Sequence, residues 1–142
     1  MALLSGNTVA KRILEQTKNR IQKSGLVPGL AVLLVGDYLE SQKYVGLKEE
    51  RAKEVGIRFE KLLFPKTVSQ EELSRAIRGL NARADIQGIV VQLPLPPGLL
   101  TDEIIAMIDP KKDTDGFHEA TLRQFFAGDY DVCPVFPRAI VE

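Results

Sequence analysis

Three side chains with different chemistry lie on one predicted helix. Ser41, Tyr44 and Lys48 are separated by three and then four residues. Because an α-helix repeats every 3.6 residues, these positions fall within about 60° of one another on its surface. One helix face would therefore carry a hydroxyl, an aromatic ring and an amine. The simpler interpretation is a solvated helix with an incidental Tyr–Lys pair, since i,i+4 pairs of this kind are common.

Lys48 is the candidate for proton transfer. A lysine in open water is protonated at neutral pH and is a poor base, whereas an amine partly withdrawn from water releases its proton more readily. A neutral neighbour such as Gln92 could orient the amine by hydrogen bonds, while a carboxylate in its place would hold the proton on. The alternative for Lys48 is an exposed side chain that lies along the protein surface.

The other candidate residues each have a structural alternative. Tyr44 offers a flat face for stacking on an aromatic ligand, or it packs in the core. Gln92 stands in an apolar stretch, so its amide needs partners, which the backbone at a strand end could supply. Asp115 could accept two parallel hydrogen bonds from a ring with adjacent N–H donors, or it could cap a turn. Asp113 could do the same.

The sequence gives no support for a metal site or for a dinucleotide-binding half. His118 is the only histidine and Cys133 is the only cysteine, without metal-ligand spacing around them. We therefore expect His118 to have a surface or local hydrogen-bonding role. Gly36 ends a predicted strand before a helix, but no G-x-G-x-x-G motif accompanies it.

The composition is that of an ordinary globular domain. The chain has 142 residues and a formal net charge of zero, which gives no sign of nucleic-acid or anionic membrane binding. No apolar run approaches the length of a membrane span, and the amino-terminal segment lacks the pattern of a signal peptide. A lone cysteine forms no internal disulfide. These features fit a cytoplasmic protein.

Helical and strand patterns alternate along the chain. An amphipathic helix is followed by a fully apolar strand, and Ser69 with Glu72 has the spacing of a capping box at the start of a later helix. Pro110 is expected to end a short helix, and Pro137 to precede the last one. The predicted helices cover residues 8–24, 41–56, 70–81, about 101–108 and 119–126, and the predicted strands cover 30–35, 57–64 and 88–93.

This order predicts an α/β three-layer domain with a small, mostly parallel sheet flanked by helices. The expected strand order places the first strand between the second and the third. Open sheets of this kind bind ligands beyond the carboxyl ends of the strands, where the chain direction switches. The helix with Lys48 follows the first strand, and Gln92-Leu93-Pro94 closes the third. The topology therefore predicts that Tyr44, Lys48 and Gln92 form one site.

Three motifs, in this order, resemble the signatures of the methylenetetrahydrofolate dehydrogenase/cyclohydrolase family. They are Tyr44-Val-Gly-Leu-Lys48, Val91-Gln92-Leu-Pro-Leu-Pro96 and Pro110-Lys-Lys-Asp-Thr-Asp115-Gly-Phe. The resemblance covers essentially the whole chain and identifies residues 1–142 with the N-terminal catalytic domain of the family. It implies that an NADP-binding Rossmann domain follows in a full-length protein, and that this chain ends before it.

The resemblance implies a pair of reactions in cytoplasmic one-carbon metabolism, which supplies purine biosynthesis. A hydride passes from 5,10-methylenetetrahydrofolate to NADP, and water then opens the methenyl product to 10-formyltetrahydrofolate. The implied partners are a folate substrate and a second copy of the protein in a homodimer, without nucleic acid or membrane. NADP would bind only through the missing domain, and no metal is implied.

The same resemblance assigns roles to individual residues. Lys48 is similar to the catalytic lysine of the hydrolytic step, with Gln92 positioning it and Tyr44 stacking on the folate. Asp115 resembles the carboxylate that holds the 2-amino and N3–H groups of the pterin. The implied substrate-binding set is Ser41, Tyr44, Gln92, Leu93, Pro94 and Asp115.

The chain also departs from the family pattern. The loop from Gly36 to Ser41 lacks the usual proline, and Thr121 and Arg123 stand where an Asn and a Gly are usual. Phe136 and Ala139 replace the Thr and Gly of a later motif. These changes predict that the chain alone does not support dehydrogenation. A non-catalytic folate-binding or dimerisation module is therefore one alternative, and the substrate domain of another two-domain NADP enzyme is a weaker one.

Overall fold

Three parallel strands form the centre of the structure, a computed structural model that describes residues 6–129 and 133–141. Residues 1–5, which belong to the segment where we predict no signal peptide, lie outside this part, as do residues 130–132 and 142. The elements in chain order are α1 (Gly6–Ser24), β1 (Gly29–Val35), α2 (Leu39–Val55), β2 (Arg58–Phe64), α3 (Gln70–Ala82), β3 (Gly88–Val91), α4 (Thr101–Ala106), a 3-10 turn (Pro110–Lys112), α5 (Glu119–Phe126) and α6 (Val135–Val141).

The strand order is β2-β1-β3, as predicted, and both pairings are parallel. Leu33 of β1 stands opposite Leu62 of β2 and Val91 of β3, which fixes the register of the sheet. β1 is the central strand, and its apolar run is buried on both faces. The carboxyl ends of β1 and β3 consequently lie side by side, which is where the predicted site residues follow.

The two faces of the sheet pack against different helices. Odd-numbered residues of β1 join α3 and α4 in the larger core, whereas the even-numbered Val32 and Leu34 pack with Val45 of α2. The α3 side chains Leu73 and Ile77 are fully buried in this core. Helices on both faces of a parallel sheet make the three-layer α/β domain that the sequence predicted.

Local signals placed several helix ends correctly. Ser69 Oγ accepts a hydrogen bond from the Glu72 backbone N–H at 3.2 Å, so the predicted cap of α3 is present. Gly56 ends α2 in the left-handed conformation, with φ of +91°. α2 begins at Leu39, two residues before the predicted start, and its first residue follows Tyr38 without a side-chain cap.

Three of the boundaries that the sequence prediction misplaced lie near prolines. β3 ends at Val91, two residues early, because Pro94 has no N–H for the ladder. Pro110 begins a 3-10 turn behind the Asp109 cap, while α4 already ends at Ala106. α6 begins at Val135, before Pro137, since a proline fits the first turn of a helix.

α1 lies outside the sheet layers and packs on α2. None of its residues is fully buried, and Ile13 of its apolar stripe is 40% exposed. No helix in the described part of the chain combines the length and apolarity needed to cross a membrane.

Candidate functional site

The turn between β1 and α2 brings the first candidate residues to the carboxyl edge of the sheet. Gly36 reverses the chain with φ of +81°, a conformation that favours glycine. α2 then presents its candidates at different depths. Ser41 is buried, with 4% of its surface exposed, whereas Tyr44 is 62% exposed. The ring of Tyr44 is thus available to a ligand, while Ser41 faces the protein interior.

Lys48 and Gln92 are in direct contact. Lys48 is half-buried, and its Nζ donates to Gln92 Oε1 at 3.2 Å. The Gln92 amide nitrogen in turn donates to the Leu93 carbonyl at 2.8 Å, which leaves the amide oxygen aimed at the amine. The Gln92 backbone N–H donates to the Leu33 carbonyl at 2.9 Å and anchors the residue to β1. The structure therefore brings together the amine and the neutral amide that the sequence paired.

Leu93 and Pro94 follow on the same edge. Leu93 packs against the larger core, while Pro94 is exposed, and the peptide bond between them is cis. Both residues flank the Lys48–Gln92 pair through their position directly after Gln92.

Asp115 approaches this pair from a later loop. Burial raises the pKa of its carboxyl, the nearby Lys48 ammonium lowers that pKa, and the Asp113 carboxylate raises it further. The dominant effect is thus desolvation. In the described part of the chain, no donor lies within hydrogen-bond distance of the Asp115 carboxylate. Its two oxygens are available to a ligand with paired N–H donors.

Asp113, the alternative candidate, is engaged elsewhere. Its Oδ1 accepts from the Gly116 backbone N–H at 3.0 Å. Its Oδ2 accepts from the His118 backbone N–H at 2.9 Å and from the Thr121 hydroxyl at 3.0 Å. Both oxygens are therefore used within the protein, which favours Asp115 over Asp113 as the ligand-facing acid.

Two further residues of this loop hold it to the core, and sequence reasoning missed both. Lys112 Nζ donates to the carbonyls of Leu80, Asn81 and Arg83 at the end of α3, at 3.1, 2.8 and 2.7 Å. Thr114 Oγ1 donates to the Ile89 carbonyl at 3.0 Å. These contacts join residues 25 or more positions apart, so no local pattern could have revealed them.

The histidine has a local role, in line with the sequence interpretation. His118 Nδ1 accepts from the Ala120 backbone N–H at 3.0 Å and caps α5. Among residues 6–129 and 133–141, no group of three or more His, Cys, Asp or Glu side chains could hold a metal ion.

A separate cavity of about 710 Å³ lies between α1 and α6. Ile13 and Val135 contribute apolar surface to it, and Arg20, Lys23 and Arg138 contribute charged groups. It shares no residue with the Lys48–Gln92–Asp115 cluster.

Residues 4–115 match the family described as tetrahydrofolate dehydrogenase/cyclohydrolase, catalytic domain. The bifunctional protein FolD of Methanococcoides burtonii is 39% identical over 144 residues, which cover 99% of this chain and 50% of that protein. The chain thus spans about half the length of the curated relatives it matches.

Solved structures have the same fold. The bifunctional 5,10-methylenetetrahydrofolate dehydrogenase/cyclohydrolase of Thermoplasma acidophilum superposes with a TM-score of 0.93 at 28% identity, over 99% of this chain and 51% of that one. The Trypanosoma brucei N5,N10-methylenetetrahydrofolate dehydrogenase-cyclohydrolase, solved with NADP and an inhibitor, gives a TM-score of 0.82 at 33% identity, over 87% of this chain and 43% of that one. The chain therefore belongs to the tetrahydrofolate dehydrogenase/cyclohydrolase catalytic-domain family.

Proposed function

We propose that residues 1–142 form a catalytic domain that binds a reduced folate and hydrolyses 5,10-methenyltetrahydrofolate to 10-formyltetrahydrofolate. The observation that carries this proposal is the 3.2 Å hydrogen bond from Lys48 Nζ to Gln92 Oε1. Lys48 forms no ion pair with any described residue, and it is half-buried. An amine held by a neutral amide, without a carboxylate beside it, is placed as an acid–base group must be.

Asp115 and Tyr44 supply the binding surface for the pterin. The pterin ring has two adjacent N–H donors, its 2-amino group and N3–H, which match the two free oxygens of one carboxylate. Such charge-assisted, paired hydrogen bonds are stronger than neutral ones and fix orientation. The exposed Tyr44 ring offers a face on which the pterin could stack. We propose Leu93 and Pro94 as further contacts along the rim and Ser41 as support behind α2.

The proposed hydrolysis needs one group that both accepts and donates a proton. Water attacks the methenyl carbon of the cation and forms a C–O bond, while the neutral Lys48 amine takes a proton from the water. The bond from this carbon to N5 then breaks, and its electron pair goes to N5, which takes the proton from the Lys48 ammonium. The second proton of the water passes to the surrounding solvent as the carbonyl forms, so the reaction releases one proton overall. The product carries the formyl group on N10.

We propose that the β1–α2 turn of this chain is not an NADP site. The β1–α2 turn has one glycine, Gly36, followed by the side chains of Asp37 and Tyr38 where a pyrophosphate needs close backbone approach. An Asp37 carboxylate would also repel a phosphate. In a longer protein NADP would accept the hydride from the methylene group. For the full-length protein we propose a homodimer that acts in cytoplasmic one-carbon metabolism and supports purine biosynthesis.

Calorimetric titration of the chain with 5-formyltetrahydrofolate, together with a hydrolysis assay on the methenyl compound, tests this function. We expect saturable binding, and loss of the methenyl ultraviolet absorbance faster than in buffer alone. Binding without turnover would instead support a non-catalytic folate module. Absence of both would overturn the proposed function.

A further inference from the structure

We propose that Asp113, held by Thr121, is a positioning residue that fixes where the Asp115 carboxylate stands in the cleft. This inference rests on the proposed function for the identity of the ligand, since the pterin is what Asp115 would bind. Asp113 itself would not contact the ligand. It would act through the loop that carries Asp115.

The contacts of Asp113 span the residues on both sides of Asp115. The carboxylate lies two residues before Asp115 and binds the backbone N–H groups of Gly116 and His118 beyond it. It therefore closes a short ring of chain around Asp115. Because two of the residues that follow Asp115 are bonded to one that precedes it, the Asp115 backbone has little freedom to rotate.

Thr121 ties this ring to α5. Its hydroxyl donates to Asp113 Oδ2 at 3.0 Å, and the residue is buried, with 3% of its surface exposed. The same oxygen accepts from the His118 backbone N–H, so the Thr121 hydroxyl is its second donor and joins the ring to α5. Thr121 stands where the family resemblance places an Asn, and both side chains offer a donor. The departure from the family pattern thus retains the hydrogen-bonding capacity of the position.

The residues on either side of Asp113 are fixed independently. Lys112 is bonded to the last turn of α3, and Thr114 is bonded to β3. Three consecutive side chains are thus anchored by three different elements and fix the backbone of the loop. The fourth, Asp115, has no hydrogen-bond donor among the described residues. This arrangement suits a carboxylate that accepts hydrogen bonds from a ligand.

A carboxylate is required at position 113 because both of its oxygens accept. An asparagine has one accepting oxygen and one donating nitrogen, so it would turn a donor toward one set of partners. Asp113→Asn should therefore loosen the ring without changing the volume of the side chain. Thr121→Val removes only the hydroxyl donor, and Thr121→Ser keeps it.

The first test follows the Asp115 carboxyl carbon by NMR as the pH changes, in the full chain. We expect a raised Asp115 pKa in the unmodified protein and in Thr121→Ser, and a displacement toward the ordinary aspartate value in Thr121→Val, which leaves the Asp113 charge in place. Thr67→Val, at an exposed threonine, is the matched control and should leave the titration unchanged. An unaltered Asp115 titration in a folded Thr121→Val protein would overturn the proposal, whether or not folate binds.

The second test compares two ligands, 5-formyltetrahydrofolate and p-aminobenzoylglutamate, which lacks the pterin. Thr121→Val should weaken the first about tenfold, the loss typical of a disturbed hydrogen bond to a charged group, and leave the second unchanged. In an Asp115→Asn background, Thr121→Val should cause no further loss, because both changes act on one interaction.

The outcomes separate the positioning role from a structural one and from the proposed function. Equal weakening of both ligands, or full additivity with Asp115→Asn, would show that Thr121 only supports the fold and would overturn the positioning role. If the unmodified chain binds neither ligand, the proposed function fails, and the carboxyl titration alone decides the role of Asp113. Unfolding temperatures of every variant show which proteins are folded for these comparisons.

Discussion

At the scale of single residues, the candidate cleft holds an amine with an uncharged partner and a carboxylate with no protein partner. Lys48 is bonded to an amide oxygen, and Asp115 is left without a donor among the described residues. Neither group is arranged for maximal stability. An ion pair would stabilise the Lys48 amine better, and backbone N–H donors would stabilise the Asp115 carboxylate better. Such sites are expected where chemistry, and not folding, has selected the residues.

Gln92→Glu should slow hydrolysis by about one to two orders of magnitude at neutral pH, because a carboxylate beside the amine holds its proton on. The pH–rate profile should move toward alkaline pH, and affinity for 5-formyltetrahydrofolate should stay within a few-fold. Gln42→Glu makes the same change at an exposed position of α2 and serves as the control. Full activity of Gln92→Glu at neutral pH would argue against a neutral-amine mechanism.

Asp115→Asn should stabilise the fold at neutral pH while weakening folate binding. Burial raises the pKa of Asp115 in the folded state. The stability that this residue contributes is therefore fully present below the unfolded pKa and is lost as the pH rises through the folded pKa. Asparagine does not ionise, so its advantage in melting temperature should appear above that window and shrink toward pH 4. Glu50→Gln, an equal charge change at an exposed site, controls for net charge. A lower melting temperature of Asp115→Asn at pH 7 would contradict this account.

At the scale of elements, local patterns predicted the scaffold, and long-range contacts decided the details of the site. The apolar run of β1, the Ser69 cap and Gly56 are local signals, and each marks an element that the structure contains. The pairing of Lys48 with Gln92 followed from topology, because parallel strands end at the same edge. The tethers of Lys112 could not be predicted, since they depend on where α3 ends in space. Prolines were ambiguous because they both stop an element and begin one.

A substitution at Gly116 tests whether the loop that carries Asp115 is constrained by its packing. It adopts φ of +77°, and a Cβ there would lie 2.6 Å from the Pro134 Cα atom. Gly116→Ala should therefore lose about 1–3 kcal/mol of unfolding free energy in urea and also weaken folate binding. Gly25→Ala has a similar positive φ with nothing within 4 Å, so it isolates the backbone penalty. Equal losses for the two variants would show that the contact with Pro134 does not constrain the loop.

At the scale of the whole molecule, the chain corresponds to about half the length of the relatives it resembles. It covers 50% of the Methanococcoides burtonii relative and 51% of the Thermoplasma acidophilum structure. The cleft residues Tyr44, Lys48, Gln92 and Asp115 all lie within this half. In our proposal the hydrolytic step needs only these residues and water, whereas the hydride step needs a cofactor site that the β1–α2 turn does not provide.

The chain alone should bind 5-formyltetrahydrofolate and should not bind NADP. The physical reason is that its strand–helix turn lacks the glycines for close approach to a pyrophosphate and carries Asp37 instead. Isothermal calorimetry with each compound, in the same buffer, makes the comparison. Micromolar affinity for NADP would contradict this division between the two steps.

The most direct test of the central claim is methenyl hydrolysis by Lys48→Gln. The variant removes the titrating amine but keeps a side chain that can hydrogen-bond Gln92, and Lys43→Gln on the same helix provides an exposed control. We expect Lys48→Gln to lose enzyme-dependent hydrolysis, by about 10²- to 10⁴-fold as for other acid–base groups, while it still binds 5-formyltetrahydrofolate. Unchanged turnover in Lys48→Gln, with binding intact, would show that another group moves the proton.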